Sequence, residues 1–224
     1  MKNKMMHVIL TALFVSVSAQ ADSIDKIEKK SRDAAVIIED IVRIPDHAIP
    51  NSLLDKAVCV ATVPNVIKVG FVFGGRIGKG LVSCRVPGGW SQPSFLKIKG
   101  GSWGAQFGVE SIDLVLVFIN TNAVERLSKG NFTVGVDASV AAGPLGRDLQ
   151  AGTDFKLDSE IYSYSKAKGL YAGLVIQGTA ITVDKVNNQK LYRDVTPNRI
   201  LTSDGHRAPN VVMDYVNALI RFAR

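Results

Sequence analysis

The feature that most restricts the fold is where the glycines fall. Gly74, Gly75, Gly78 and Gly80 sit between two extended runs, Phe71-Val72-Phe73 and Leu81-Val82-Ser83-Cys84-Arg85. A glycine inside a strand gives up side-chain packing, so a group of them needs a reason: a bulge, a tight bend, or a second backbone approaching closely. The chain has 20 glycines among 224 residues, spread without a fixed period. That distribution predicts a strongly twisted or barrel-like sheet.

The flanking pattern sets the fold class. Residues 22–42 carry Ile24, Ile27, Ser31, Ala34, Ile38 and Ile41 at alternating spacings of three and four, which places them on one face of a helix. Pro45 and Pro50 end it, and Ser52-Leu53-Leu54-Asp55 reads as one brief helical turn. From Ala57 the period becomes extended. Residues 58–63 are β-branched and stop at Pro64, residues 95–99 alternate, and residues 113–119 read as a central strand. A short helix capped by Asn120 or Thr121 follows, then strands at 132–141, 155–165, 169–176 and 179–184. Residues 211–224 close the chain as a helix with Val212, Tyr215, Val216 and Leu219 on one side. Short strands framed by terminal helices predict an α+β fold with a mainly antiparallel sheet, and no low-complexity linker divides it.

The first 21 residues read as a secretory signal peptide. Lys2 and Lys4 precede an apolar run at 8–17, and Ala19-Gln20-Ala21 supplies the cleavage pattern. The competing account is a membrane anchor, but the run falls short of the roughly 20 apolar residues a spanning helix needs. The expected organisation is therefore a signal at 1–21 and one domain at 22–224, exported to the periplasm or held peripherally on an envelope membrane. In an oxidising compartment Cys59 and Cys84 are candidates to pair. Such a bridge closes about 26 residues and is worth about 3.5 kcal/mol in the chain-entropy model. The alternative is two buried thiols packing as small apolar groups.

The catalytic inventory is thin. Beyond the signal the only histidines are His47 and His206, both in turn-like contexts after Pro45-Asp46 and Asp204-Gly205. A multi-histidine metal site is excluded. No G-x-S-x-G elbow occurs, although a hydrolase built on His206 with a distant Ser and Asp stays formally open. The 74–80 segment has neither Walker spacing nor a hydroxyl residue after Lys79. No enzyme activity, no metal and no cofactor is expected.

Charge is more informative. From Lys56 to Val109 there are seven basic residues, Lys56, Lys68, Arg76, Lys79, Arg85, Lys97 and Lys99, and no Asp or Glu. The whole chain carries a formal +7, so this one span holds the positive excess of the mature chain. Trp90 and Trp103 lie in it. Cations with interfacial tryptophans suit anionic lipid headgroups. A solvated strand face gives the same composition, and nucleic acid is not expected because no recognition motif accompanies the charge.

Several ordered stretches resemble the SYLF-domain family, a lipid-binding domain also found in yeast actin-patch proteins. They are Lys56-Ala57-Val58-Cys59-Val60-Ala61 with Pro64, Gly74-Gly75-Arg76-Ile77-Gly78-Lys79-Gly80, Trp90-Ser91-Gln92-Pro93-Ser94-Phe95 and Gly100-Gly101-Ser102-Trp103-Gly104-Ala105-Gln106-Phe107-Gly108. Asp137-Ala138-Ser139-Val140-Ala141-Ala142-Gly143-Pro144-Leu145-Gly146-Arg147, Tyr162-Ser163-Tyr164-Ser165 and Gly169-Leu170-Tyr171-Ala172-Gly173 continue the series. The resemblance implies a single α+β domain that binds phosphoinositides or other anionic lipids, with an N-terminal amphipathic helix in membrane contact. By position that helix is 22–42, which adds Lys26, Lys29, Lys30 and Arg32 to the candidates. Its acids (Asp25, Glu28, Asp33, Glu39, Asp40) offset them, so the preferred contact surface is Lys68, Arg76, Lys79, Arg85, Lys97 and Lys99 with Trp90 and Trp103. The resemblance further implies actin binding in yeast members, where an additional C-terminal peptide-binding module is expected and is not read here. For an exported chain the expected partners are envelope phospholipids such as phosphatidylglycerol or cardiolipin. The alternative is an acidic envelope protein meeting the same surface.

Overall fold

A computed structural model describes residues 21–43, 49–70, 73–103, 108–145, 158–167 and 169–222. The signal peptide expected at 1–21 falls almost wholly outside the described residues, as does His47.

The chain forms helix α1 (Ile24–Arg43) and α2 (Asn51–Asp55). Five strands follow, β1 (Cys59–Gly70), β2 (Phe73–Val86), β3 (Gly89–Trp90), β4 (Ser94–Trp103) and β5 (Gly108–Phe118). After α3 (Thr121–Ser128) come β6 (Asn131–Val134), β7 (Val140–Ala142), β8 (Ile161–Ala167), β9 (Leu170–Gly173) and β10 (Thr179–Val183). Helices α4 (Lys185–Tyr192), α5 (Pro197–Thr202) and α6 (Met213–Phe222) complete the described chain. The main strand order is β6-β10-β4-β2-β1-β5-β8-β7. Every pairing is antiparallel except β7 with β8. The fold is α+β with a mostly antiparallel, barrel-like sheet between an N-terminal and a C-terminal helix.

Curling is forced by one short connection. β6 and β7 lie at opposite ends of the strand order, which flat would separate them by about 34 Å. They are joined only by residues 135–139, which fully extended reach about 22 Å. The sheet therefore rolls until its edges meet, and the Gly135 N–H donates to the Ala138 carbonyl in that connection. Gly80 shows why glycine was required: a Cβ there would stand 2.2 Å from the Thr62 carbonyl oxygen on the adjacent strand.

Rolling creates two cores. The inner face gathers Ala61, Val63, Val66, Val82, Leu96, Ile98, Leu116, Phe118, Phe132 and Ile181, with Phe118 and Phe132 edge to face at 6.3 Å. Cys59 and Cys84 are directly opposed across β1 and β2 and joined as a disulfide in this inner core. The outer face packs Val60, Leu81, Phe95, Val115, Val117, Tyr162 and Tyr164 against α1 and α6. In α1, Ile27, Ser31, Ala34, Ile38 and Ile41 are buried while Ile24 is exposed. From α6, the Tyr215 hydroxyl donates to the Val60 carbonyl at 2.9 Å, and its backbone N–H donates to Ser31 Oγ.

Three expectations change. Pro64 does not end the first strand, because a bulge between Val63 and Val66 lets the ladder resume. Asn65 takes a left-handed φ of 52° there, and its N–H donates to Asp113 Oδ1. The single strand expected at 132–141 is two strands on opposite sheet edges. Helices α4 and α5 were not anticipated. Asp184 and Thr196 cap them, and the buried Asn187 and Asn188 make α4 look polar throughout.

Candidate functional site

The strands outrun the helices. Near Thr62, Leu81 and Leu116 both sheet faces are covered, but α1 does not extend over the far end of β1, β2, β4 and β5. On the outer face of that end Ile67 pairs with Ile77, and Val69 pairs with Val109. These are exposed by 44%, 59%, 52% and 74% respectively. Ile77 in turn lies opposite Lys99, and Lys79 opposite Lys97. An apolar patch thus runs directly into a row of lysines.

The lysine row continues into a cleft of about 250 Å³ lined by Asp22, Lys26, Lys29, Lys30, Asp33, Asn65 and Lys79. The β1 bulge supplies Asn65, β2 supplies Lys79, and the start of α1 with the Asp22 just before it supplies the rest. Lys79 Nζ binds Asp22 at 3.0 Å. Asn187 Nδ2 also donates to Asp22, and Lys190 Nζ donates to its carbonyl oxygen. Burial raises the Asp22 pKa, but these Lys79 and Asn187 hydrogen bonds outweigh it and hold the carboxyl below the usual range. Burial likewise holds the Lys30 ammonium below the ordinary lysine value. Lys97 pairs with the buried Asp184 at 2.9 Å, and Lys29 with Asp33. The side chains of Lys26 and Lys99 have no ion pair among the described residues. Four lysines around two carboxylates leave the cleft cationic, which suits a phosphate-bearing partner.

The sequence candidates therefore separate. Lys26, Lys29, Lys30 and Lys79 meet in the cleft, with Lys97 and Lys99 beside it. Arg32 pairs with Glu28 and does not line the cleft. Lys68 and Arg76 oppose each other on the inner face of the sheet, and Lys68 pairs with Glu110 at 3.2 Å. Arg85 points back into the protein: its Nε and NH2 donate to the Ala57 and Leu54 carbonyls, and its guanidinium stacks over Trp90 at 4.9 Å. Trp90 is 2% exposed, so its indole is core rather than interface. The backbone of Trp103 ends β4, and its side chain lies outside the described residues. The acid-free span does not make one surface, because alternation splits it between faces and Asp22, Glu110 and Asp184 fold in from elsewhere. Sequence reasoning missed the exposed Ile67, Val69, Ile77 and Val109, whose β-branched alternation reads as core. It also missed Lys190.

His206 is exposed in a 3-10 turn, its backbone N–H donating to Asp204 Oδ1. Among the described residues no three His, Cys, Asp or Glu side chains group as metal ligands. No described helix is long and apolar enough to cross a membrane.

A family model described as Ysc84, Las17-binding protein actin regulator, matches residues 99–221. SH3 domain-containing YSC84-like protein 1 of Xenopus laevis is 38% identical over 173 residues, 74% of this chain and 51% of that protein. The Homo sapiens protein of that name is 35% identical over 189 residues, 81% of this chain and 55% of its own. Protein YSC84 of Saccharomyces cerevisiae is 33% identical over 192 residues, 82% of this chain and 41% of its own. The chain spans about half the length of the curated relatives it matches. With more than half of its residues inside the family match, the chain belongs to the Ysc84 family, the SYLF-domain proteins.

Proposed function

We propose that this chain is a non-enzymatic binder of anionic phospholipid surfaces, acting in the cell envelope after export. One observation carries the reading: the bare apolar patch of Ile67, Val69, Ile77 and Val109 is continuous with Lys99, Lys79 and the lysine cleft. An apolar patch with a cationic rim matches an anionic bilayer in two ways. The branched side chains leave water for the acyl boundary, and each nearby cation contributes about 1 kcal/mol against a negative leaflet. The apolar stripe of α1 is spent on the core, so the helix contributes through Lys26, Lys29 and Lys30 rather than through an inserted face.

Flotation with phosphatidylglycerol vesicles tests this. Binding should require the anionic lipid and weaken as salt shortens the Debye length; equal binding to neutral vesicles overturns it. A second reading follows from the family description, which concerns binding of the protein Las17 and regulation of actin. In that reading the same surface meets an acidic protein. A lipid-free complex with a purified acidic partner, competed by salt and absent with vesicles, favours it.

A further inference from the structure

The inner face of the same sheet end holds an arrangement that the membrane reading does not use. Thr179, Gly100, Arg76, Lys68 and Glu110 form one row across β10, β4, β2, β1 and β5, each opposite the next in register. The row above it is apolar: Ile181, Ile98, Gly78, Val66 and Ile112, and a Cβ on Gly78 would touch Val63, Val66 and Ile98. The charged row is therefore the rim of the inner core, where the barrel interior ends.

Two groups in this row lack partners. Arg76 is only 9% exposed, and its Nε is buried with no hydrogen bond among the described residues. Thr179 is fully buried, and its Oγ1 likewise has none. Glu110 does not compensate Arg76, because it is held by Lys68. Between Arg76 and Thr179 stands Gly100, which puts no side chain into the space they face. A desolvated guanidinium without a counter-charge is costly, and burial acts to lower its pKa. A threonine hydroxyl two strands across, on the far side of Gly100, offers a neutral donor. Planar guanidinium plus hydroxyl is a donor set that matches oxyanions.

We propose that Arg76 and Thr179 bind a small oxyanion of phosphate type at the rim of the barrel interior. The site is on the sheet face opposite the apolar patch, so it stands independently of the membrane reading. The phosphate has two possible sources, free inorganic phosphate or the headgroup of a phospholipid.

The test is amide NMR of Gly100 and Thr179, with thermal unfolding in parallel, at constant ionic strength. The probes are inorganic phosphate, glycerol 3-phosphate and micellar short-chain phosphatidylglycerol. Saturable shifts at both amides and a higher Tm are expected with at least one probe. Response to inorganic phosphate assigns the free ion, and response to the lipid alone assigns the headgroup. Arg76→Gln should abolish the shifts and Thr179→Val should weaken binding about tenfold. Arg221→Gln, on α6 and outside both binding surfaces, should change nothing at these amides. Without any probe, Arg76→Gln should be no less stable than the parent, since it removes an uncompensated buried charge. Absence of saturable shifts with all three probes overturns the site, as does their survival in Arg76→Gln. If Arg76→Gln fails to fold, unchanged affinity in Thr179→Val overturns it alone. Vesicle flotation remains the separate measure of the membrane surface.

Discussion

The two ends of the same three strands, β1, β2 and β5, differ in what covers them. At the helical end, β1, β2 and β5 place Val60, Leu81 and Val117 under α1 and α6 and Ala61, Val82 and Phe118 in the inner core. At the far end the same strands present Ile67, Val69, Ile77 and Val109 to solvent and an unpartnered arginine to the inside. The ladder resumes beyond the β1 bulge, so hydrogen bonding does not separate the ends; burial does. Stability is concentrated where both faces are covered, and bare surface is left where the outer face is not.

The comparison breaks first if the far end also carries stability. Phe118→Ala, fully buried against Phe132, should cost about 3–5 kcal/mol in denaturant unfolding. Ile77→Ser at the bare end should stay within about 0.5 kcal/mol of the parent. Equal losses at the two sites would dissolve the distinction. Next in size is the covalent staple. Replacing Cys59 and Cys84 together by Ala should lower stability by about 3.5 kcal/mol, measured by a lower denaturant midpoint with a slope that does not fall, since the freed unfolded chain is less compact. It should leave vesicle binding by the surviving folded protein unaltered.

How much of this was legible depends on the range of the interaction. The period of α1 and α6, the Asn120 cap and the curled sheet are local or near-local consequences of spacing and of glycine, and all were readable. The β1 bulge was not, because Pro64 stops a strand unless Asn65 takes a left-handed turn and Asp113, 48 residues away, accepts its N–H. The site was legible only as an inventory. Alternation alone separates Arg76 from Lys79 and puts Lys97 with Lys99, but strand register is needed to join Lys68 to the face of Arg76, and neither tells which face is wet. That is decided by α1 being 20 residues long and lying along only part of the sheet. The carboxylates that tie down Lys79 and Lys97 arrive from residues 22 and 184, and no local pattern announces them.

A third measurement sharpens the contrast through binding. Replacing Val69 and Ile77 together by Ser removes apolar area from the bare patch without touching either core. Affinity for phosphatidylglycerol vesicles should fall about tenfold, equivalent to about 1.4 kcal/mol, with the melting temperature unchanged. Loss of stability without loss of binding would assign the patch to folding instead.

The smallest effect isolates electrostatics at the boundary between the two ends. Asp22 ties α1 to β2 through Lys79 and to α4 through Asn187. Asp22→Asn leaves Lys79 unneutralised, so the cleft gains one positive charge. Vesicle affinity should rise about fivefold, the equivalent of about 1 kcal/mol per added charge, and its salt dependence should steepen. Stability should drop by less than about 1 kcal/mol, the usual scale for a partly exposed pair. The pH sign follows from the same contacts. Because the folded carboxyl titrates below the ordinary aspartate range, its stabilisation is complete above that range and is lost only as pH falls through the lower folded value. Acidifying from pH 7 to 5 therefore leaves Asp22 ionised and should not reproduce the gain seen in Asp22→Asn. If the substitution weakens vesicle binding while the protein stays folded, Asp22 is organising the cleft rather than neutralising it, and the lysines act through the position of α1 instead of through their summed charge.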